Sequence, residues 1–406
     1  MTRAVAIIDG EHYPPVVRDA LGQLPYEVVA AVLVGGKEKI RGREDYGLPL
    51  YHDLERALAC HAPELVLDLS DEPVLGPAER LGLASRVLAR GLSYVGPDFR
   101  LDPPRLEPFF LPAISVAGTG KRVGKTALTV HLARLLSRSR RVVVVAMGRG
   151  GPAQPEVVLH PPTVDDLLRL SRAGRHAASD HLEVALLAGV PTVGCRRCGG
   201  GLAGQVATSN VAEGAALAAA LDPDLVLLDG SGAALPPVAS RKRILVVGRG
   251  HDPASYLNPY RLLVSDLVVA VGADRSVAAR IRALASVPVY RVELRLSPVQ
   301  PLRGRRVAVF TAGPCLLDHL DAEIVHASPH LADRQALGRE LEGVEADVFV
   351  VELKAAAVDV VVEAARARGT EVVVAGNDLV PAAGEGDLDA ALLELAEEAA
   401  REEVPA

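Results

Sequence analysis

The hydrophobic positions of this chain fall into short runs rich in Val, Ile and Leu, and these runs alternate with helix-like patterns. In the first hundred residues the strand-like runs are "AVAIID", "EVVAAVLVGG", "ELVLDLS" and "SYVGPDF", and the helix-like segments between them are "PPVVRDALGQL", "LERALACH" and "AERLGLASRVLARG". Apolar strands that alternate with helices are typical of βαβ units, whose parallel strands are buried on both faces. The Pro-rich stretch "LDPPRLEPFFLP" then predicts a link to a second domain.

The same alternation continues to the C-terminus. The next strand-like runs are "AISVAG", "RVVVVAMGRGG", "PDLVLLDG", "RILVVG" and "DLVVAVGA", and a third group begins at "GRRVAVFTAG" and continues with "DVFVVEL" and "EVVVAG". The terminal segment "DLDAALLELAEEAAREE" predicts a surface helix with a solvated charged face. We therefore expect an α/β protein of doubly wound parallel sheets. Its predicted parts are an N-terminal α/β domain over 1–107, a central domain over 112–300 and a C-terminal α/β unit over 301–406.

Composition narrows the class of protein. The chain has 406 residues, of which 49% are hydrophobic and 3% aromatic, and its net charge is -7. No apolar run reaches the roughly 18 residues of a membrane span, and an acidic pair follows the start too early for a signal peptide, so we expect a cytoplasmic protein without a membrane partner. The lack of a basic, aromatic-rich region argues against nucleic acid as a partner. Local Arg and Lys clusters still allow an anionic small ligand.

The four cysteines are Cys60, Cys195, Cys198 and Cys315. Two of them form "CRRC", but no second C-x-x-C and no histidine pair accompany it, so a structural zinc site is poorly supported. The pair is compatible with redox or metal chemistry, or with an ordinary loop.

One segment carries a strong chemical signal. "ISVAGTGKRVGKTALTVHLARLL", from Ile114 to Leu136, places a Gly-rich loop and "GKT" between a strand and a helix, which predicts a phosphate-binding loop. The loop is one residue longer than the usual G-x-x-x-x-G-K-[ST] spacing. The residues predicted to hold the nucleotide are Gly118, Thr119, Gly120, Val123, Gly124, Lys125 and Thr126. In this motif the lysine neutralises the phosphate and the hydroxyl of Thr126 binds Mg²⁺. Asp229, at the end of "LVLLD", is the carboxylate expected to bind the same Mg²⁺. A turn-forming role is the alternative for Asp229.

The loop "GTGKRVGKT", together with "DGSGAALPPV", resembles the corresponding motifs of dethiobiotin synthetase. A longer ordered set resembles the cyclic 2,3-diphosphoglycerate synthetase family, between about Ile7 and Asp359. Its members are "IIDGEHY", "DLSDEP", "GPDF", "GTGKRVGKTA", "AMGRGGP", "HAASDH", "TVGCRRCGGG", "GSGAALPPV" and "ELKAAAVDV". The resemblance implies ATP, Mg²⁺ and 2,3-diphosphoglycerate as ligands, a cyclic pyrophosphate, ADP and phosphate as products, a related 2-phosphoglycerate kinase activity, and a homodimer.

A substrate of this kind carries about five negative charges near neutral pH and needs a dense set of cations. The candidate cations are Lys121, Arg122, Arg149, Arg196 and Arg197. Gly199 and Gly200 would let backbone N–H groups approach a phosphate. Further candidates for substrate binding are His176, His181 and Lys354. For the Arg pair the alternative is a solvated loop, for the two histidines it is packing or capping, and for Lys354 it is a surface ion pair.

Acidic residues also follow two strands of the N-terminal domain. They are Asp9 and Glu11, with His12, after the first strand, and Asp68, Asp71 and Glu72 after the third. Ligands bind at the carboxyl ends of parallel strands, so these residues fit a metal or second-substrate site; they fit turns and N-caps equally well.

Three functions remain open on the sequence. The first is ATP-dependent ring closure of 2,3-diphosphoglycerate, with Lys125 and Mg²⁺ on ATP and the other cations on the transferring and accepting groups. The second is a 2-phosphoglycerate kinase that stops after one transfer. The third is a P-loop ATPase that acts as a switch or delivers a metal, for which "CRRC" is the relevant feature.

Overall fold

The computed structural model describes residues 1–36, 38–40, 45–174, 180–313, 315–353 and 358–401. The chain forms two compact units. The first comprises Met1–Arg105, Asp252–Val264 and Ala283–Ser286, and the second comprises Leu106–His251, Ser265–Arg282 and Val287–Ala406. Most of the predicted central part therefore lies in the same compact unit as the C-terminal part, and two of its segments, Asp252–Val264 and Ala283–Ser286, belong to the first unit. The three-part division at 107, 112 and 300 stays a prediction.

The elements follow the predicted alternation. The strands are β1 (Arg3–Ile8), β2 (Glu27–Leu33), β3 (Leu50–Tyr51), β4 (Leu65–Asp68), β5 (Ser93–Val95), β6 (Arg100–Leu101), β7 (Ala113–Gly118), β8 (Val142–Gly148), β9 (Glu156–Val158), β10 (Thr192–Cys198), β11 (Thr208–Ser209), β12 (Leu225–Asp229), β13 (Lys242–Val247), β14 (Leu267–Val271), β15 (Val289–Pro298), β16 (Arg306–Phe310), β17 (Glu323–Ser328), β18 (Val348–Glu352) and β19 (Glu371–Pro381). The helices are α1 (Pro14–Gln23), α2 (Leu54–His61), α3 (Pro77–Ala89), α4 (Lys125–Leu136), α5 (Val164–Arg172), α6 (Asp180–Ala188), α7 (Val211–Ala219), α8 (Asn258–Leu263), α9 (Arg275–Leu284), α10 (Arg334–Leu341), α11 (Val358–Arg368) and α12 (Leu388–Arg401).

The described strands of the first unit form a six-stranded sheet in the order β3-β2-β1-β4-β5-β6. Its neighbouring strands are parallel except for β5 and β6, which are antiparallel. The side chains of β1 from Ala4 to Ile8 are buried, which explains why this strand is a continuous apolar run. Because β1 and β4 are parallel neighbours, the acidic segments that follow them lie at the same edge of the sheet.

The second unit contains a larger sheet, with thirteen strands over the described residues. Its order is β11-β10-β8-β12-β7-β13-β14-β15-β19-β18-β16-β17, and β9 pairs with β10. The strands from β10 to β15 are mutually parallel, and so are those from β19 to β17. The antiparallel pair β15 and β19 joins the two parallel groups. The predicted α/β class with doubly wound parallel sheets is confirmed.

Helix α4 follows the Gly-rich loop and is the centre of the largest core cluster. Helix α12 packs against it and buries Leu388, Leu392 and Leu395. The charged face of α12, predicted to be solvated, also forms ion pairs with its neighbours: His131 bonds Asp389 at 2.6 Å, and the Lys242 ammonium lies 3.0 Å from the Glu398 carboxylate. The end of the chain therefore stabilises the helix that begins at Lys125.

The described helices include none with both the length and the apolar character needed to cross a membrane.

Candidate active site

The Gly-rich loop lies between β7 and α4, as the sequence predicts. Its residues fold back over Gly118, where a Cβ would lie 2.7 Å from Val123 Cγ2 and 3.0 Å from Lys125 Cδ. Arg122 and Gly124 have left-handed backbone φ angles of 60° and 100°. The loop, one residue longer than the usual spacing, thus turns sharply at two points before α4 begins.

Lys125 is buried at the first turn of α4, and its ammonium donates a 2.9 Å hydrogen bond to the Gly120 carbonyl. Burial lowers the pKa of Lys125, and the negative charges of Asp229 and Asp180 oppose this effect. The positive charges of Arg149 and Arg197 also lower this pKa. The lysine predicted to neutralise a phosphate therefore lies among both acidic and basic side chains.

Asp229 ends the buried strand β12, immediately beside β7. Burial raises the pKa of Asp229 to about 7, with a further contribution from the nearby Asp180 charge and an opposing one from Lys125. In the described part of the chain, its buried Oδ1 atom has no hydrogen-bond partner. An orphaned carboxylate oxygen at this position is suited to a hard cation.

Asp180 begins α6 and lines the same cavity as the loop. Asp180, Asp229 and the Thr126 hydroxyl are all oxygen ligands, the type that Mg²⁺ prefers together with phosphate oxygens. These residues therefore fit Mg²⁺. Asp180 was not predicted, although it lies within the motif "HAASDH", because a single carboxylate beside two histidines has no metal-binding spacing of its own.

The side chains of Arg149 and Arg197 meet at Gly232, whose φ is 61°. A Cβ on Gly232 would lie 2.6 Å from Arg149 Nη2 and 3.2 Å from Arg197 Nη2. Arg197 is held in place because it donates 2.5 and 2.8 Å hydrogen bonds to the carbonyls of Gly199 and Ser231. Burial and the charge of Arg149 lower the pKa of Arg197, and its buried Nε makes no hydrogen bond to the described residues. Two converging guanidinium groups with an unused donor form a site suited to an anion.

Other predicted residues lie elsewhere. Arg196 is exposed, and because successive side chains in a strand point to opposite faces, it faces away from Arg197. The His181 ring is buried against Gly194, a position that fits the packing role left open by the sequence. Gly199 has a left-handed φ of 71°, and Gly200 lies next to Arg197 Nη1. His176 and Lys354 lie outside the described residues.

The two cysteines of "CRRC" lie three positions apart on β10, so their side chains point to opposite faces of the strand. Cys195 is buried in a hydrophobic cluster, where burial raises its thiol pKa to about 12, whereas Cys198 is exposed. Over the described ranges, no three His, Cys, Asp or Glu side chains are grouped as metal ligands. This geometry gives a two-cysteine metal site no support.

A cavity of about 1160 Å³ extends from the Gly-rich loop across the carboxyl ends of the neighbouring strands. Lys121 and Arg122 are exposed on its wall. Residues that the sequence analysis did not identify also line it: Arg249, His251, Glu293, Glu352 and Asn377. Three of them, Arg249, His251 and Glu352, end or follow a predicted strand, and this position is a recognisable sign of a ligand site. Glu293 and Asn377 lie within strands, where no local pattern predicts a role.

Glu352, at the end of β18, lines the same cavity as the loop and is held in place by two hydrogen bonds. It accepts a 2.9 Å hydrogen bond from the Ala312 amide and a 2.7 Å bond from Asn377 Nδ2. Both oxygens of this carboxylate are thereby oriented, and the turn after β16 is fixed.

In the first unit, two buried aspartates at the ends of β1 and β4 accept hydrogen bonds from nearby groups, and Asp9 joins the two segments that follow these strands. Asp9 accepts hydrogen bonds from the amides of Glu11 and Asp71 and contacts the His12 ring. Burial would raise the pKa of Asp9, but these hydrogen bonds together hold it below its usual value.

Asp68 accepts hydrogen bonds from Ser70, Arg80 and the Tyr94 hydroxyl, and Glu72 pairs with Arg80 at 3.4 Å. These contacts support the turn-forming alternative for the acidic segments.

Comparison with known proteins places the chain in a family. Three domain models of cyclic 2,3-diphosphoglycerate synthetase match it: the N-terminal domain over residues 3–102, the P-loop domain over 113–287 and the C-terminal domain over 298–378. The cyclic 2,3-diphosphoglycerate synthetase of Rubrobacter xylanophilus is 47% identical, with 98% of each chain covered. Those of Thermococcus gammatolerans and Methanothermus fervidus are 42% and 36% identical, with 96% and 97% of each chain covered.

These matches extend over nearly the full length of both chains and include the P-loop domain that carries Lys125. The protein is accordingly an enzyme of the ATP-dependent ligase type, and it belongs to the cyclic 2,3-diphosphoglycerate synthetase family.

Proposed function

We propose that this enzyme uses ATP to join the two phosphates of 2,3-diphosphoglycerate into a cyclic pyrophosphate, with release of ADP and inorganic phosphate. The observation that carries the proposal is the convergence of Arg149 and Arg197 at Gly232, close enough to the buried Lys125 for both positive charges to lower its pKa. The names of the relatives support the same reaction.

The paired guanidinium groups would bind a phosphate of the substrate. Arginine holds a phosphate through two parallel N–H donors, and two such groups offset the repulsion between phosphates that must approach each other. Arg197 is fixed by backbone carbonyls, so little side-chain freedom is lost when it binds. Arg196, exposed on the opposite face of β10, would contribute only a more distant positive charge.

Lys125 and the loop amides would hold the phosphates of ATP, while Lys121 and Arg122, on the cavity wall, would face the transferring group. Asp229, Asp180 and Thr126 would hold Mg²⁺, which supplies positive charge to the phosphate oxygens when bound. Catalysis then rests on positioning and charge neutralisation.

The chemistry proceeds in two transfers. One phosphate of the substrate attacks the γ-phosphorus of ATP, and the bond to ADP breaks. An oxygen of the second phosphate then attacks the phosphorus of the first, and inorganic phosphate leaves as the ring closes. Atoms and charge balance, because each new phosphoanhydride replaces one that is broken.

The size of the cavity supports two ligands. Its volume of about 1160 Å³ exceeds the roughly 300 to 1,000 Å³ typical of pockets for one small molecule. The nucleotide loop lines one part of the cavity, and Glu352, Asn377 and the 311–313 turn line another part.

Phosphorus NMR of the purified protein with ATP, MgCl₂ and 2,3-diphosphoglycerate tests the proposal. We expect a pair of coupled pyrophosphate signals from the ring, with ADP and inorganic phosphate in equal amounts. ATP hydrolysis that needs no phosphoglycerate would favour an ATPase switch, and an absence of both ring and ADP would reject the reaction. Replacing the substrate with 2-phosphoglycerate detects the kinase alternative, which gives 2,3-diphosphoglycerate without a ring.

The proposal extends to assembly and location. We expect a homodimer, as the family resemblance implies, and a cytoplasmic enzyme, where ATP and phosphoglycerates are available. Sedimentation velocity that gives the monomer mass of 42.6 kDa at micromolar concentration would contradict the dimer. Recovery of the enzyme in the membrane fraction of its host would contradict the location.

A further inference from the structure

His251 lies beside the Gly-rich loop, although it is far from it in sequence. It follows β13 and lines the cavity. A Cβ on Gly120 would lie 2.4 Å from His251 Cε1 and 3.5 Å from its Nε2, so the ring packs directly on the loop backbone. Neither the family motifs nor the sequence analysis gave this residue a role.

A chain of hydrogen bonds fixes the orientation of this ring. The Gly248 amide donates to Thr119 Oγ1 at 3.3 Å, and Thr119 Oγ1 lies 3.1 Å from His251 Nδ1. Because an amide can only donate, Oγ1 is the acceptor in the first bond and its hydroxyl proton is available for the second. The Thr119 hydroxyl is thus able to donate to Nδ1, and in a neutral ring that accepts this bond the proton is on Nε2.

We propose that His251 is a phosphate-binding residue, whose Nε2–H donates to a phosphoryl oxygen of the nucleotide held by the loop, and that Thr119 selects the required tautomer. The inference rests on the proposed binding of ATP. Nε2 makes no hydrogen bond within the described residues, and the ring edge that carries it lies next to Gly120, in the segment that wraps around the phosphates. This role also explains why a threonine, Thr119, stands where the usual loop spacing has a glycine. Its hydroxyl links the loop to the residue that follows β13.

Isothermal titration with ATP, ADP and AMP, all at fixed Mg²⁺, tests the contact in the full-length protein. His251→Asn keeps a polar group near the position of Nδ1 and removes Nε2. A hydrogen bond to a charged group is worth about 10- to 100-fold in affinity, so we expect this loss for ATP or ADP and little change for AMP. His251→Gln, whose amide reaches the position of Nε2, should recover part of the loss.

Two further variants separate binding from folding. Thr119→Val removes the hydroxyl without changing the shape of the side chain, and it should weaken ATP binding more than Thr119→Ser does. His52→Asn, at an exposed position of the first unit, is the control for loss of a histidine and should bind ATP normally. Melting temperatures are measured for every variant.

Two outcomes would overturn the proposal. One is wild-type affinity for ATP in His251→Asn. The other is an equal loss for AMP, ADP and ATP that accompanies a lower melting temperature, which indicates a structural role only. If the wild-type protein itself bound none of the nucleotides, the proposed function would fail together with this inference.

Discussion

Arg149 and Arg197 approach each other at a residue that has no side chain. Their terminal nitrogens lie 2.6 and 3.2 Å from the point that a Cβ on Gly232 would occupy. Two like charges brought together in this way repel each other, and the attraction of both to an anion between them offsets this repulsion. Gly232 therefore provides the space in which the two guanidinium groups and a phosphate can meet.

Gly232→Ala tests this relationship. The methyl group would displace both arginines, so we expect the KM for 2,3-diphosphoglycerate to rise about tenfold, the equivalent of about 1.4 kcal/mol, with the KM for ATP within twofold of wild type. Gly304→Ala is a matched control, since Gly304 has a similar φ of 69° and its Cβ would meet no described atom within 4 Å. Both variants should lose a similar amount of stability from backbone strain. Equal kinetics in the two variants would contradict the role of Gly232.

Lys121 is expected to act on the transfer step. It is exposed on the cavity wall, whereas Lys125 is buried at the start of α4. Lys121→Ala should leave ATP affinity within a few-fold and lower kcat about a hundredfold, the pattern of an interaction made mainly in the transition state. Lys125→Ala should weaken both, and Lys121→Arg should be partly inactive because a fork does not replace a compact charge. Steady-state kinetics that give a near-normal kcat for Lys121→Ala would show that the long loop has no such role.

Asp229 should make stability depend on pH. Its pKa of about 7 in the folded protein is above the value of about 4 in an unfolded chain, so the folded state binds more protons between these values. Stability contributed by this group is therefore present at low pH and is lost as the pH rises towards 7. Asp229→Asn, which is neutral throughout, should have a melting temperature above wild type at both pH 5 and pH 8, with the larger difference at pH 8, without metal or nucleotide.

Asp224→Asn is the control, because the pKa of Asp224 is lowered in the folded protein whereas that of Asp229 is raised. Hydrogen bonds from Arg141 lower the pKa of Asp224, so this carboxylate is ionised at both pH values and its removal should lower the melting temperature equally at each. Thermal unfolding followed by circular dichroism gives all four comparisons. A melting temperature of Asp229→Asn below that of wild type at pH 8 would contradict the assignment.

Helix α12 offers a matched pair of neighbouring leucines. Leu392 is fully buried in the core around α4, and Leu393 is 39% exposed. Leu392→Ala should lower the free energy of unfolding by about 2 to 5 kcal/mol, and Leu393→Ala by less than about 1 kcal/mol. Urea unfolding measures both. Similar losses in the two variants would mean that α12 does not pack on α4 as described.

The strands and helices most visible in the sequence are those whose pattern is set by burial. "AISVAG" coincides with β7 and "LERALACH" with α2, because continuous burial and a one-sided apolar face each leave a local signature. Helix α5 was missed although its signal is local: Thr163 and Asp166 form a capping box at its start. The short strands β9 and β11 left no such trace, since they exist only by pairing with β10.

The site divides in the same way. The residues of the loop and Asp229 were predictable because a strand, a turn and a helix place them in fixed order. The motif "CRRC" made Arg196 and Arg197 equally good candidates for phosphate binding. Which of them lies near Arg149 depends on the face of β10 that each side chain occupies, and this cannot be read from the motif. His251 and Asn377 approach the cavity through pairing of distant strands, which no local pattern encodes.

The pairing of β15 with β19 has a mechanical consequence. From Val292 opposite Pro381 to Pro298 opposite Ala375, backbone hydrogen bonds join the strands behind the loop to those that carry Glu352. The strands behind both parts of the cavity lining thus belong to one hydrogen-bonded sheet, and we expect them to move together rather than as separate lobes about a hinge. We therefore expect ligand entry and release to depend on the loops around the cavity, and a chain cut at residue 300 to disrupt the sheet rather than release two working halves.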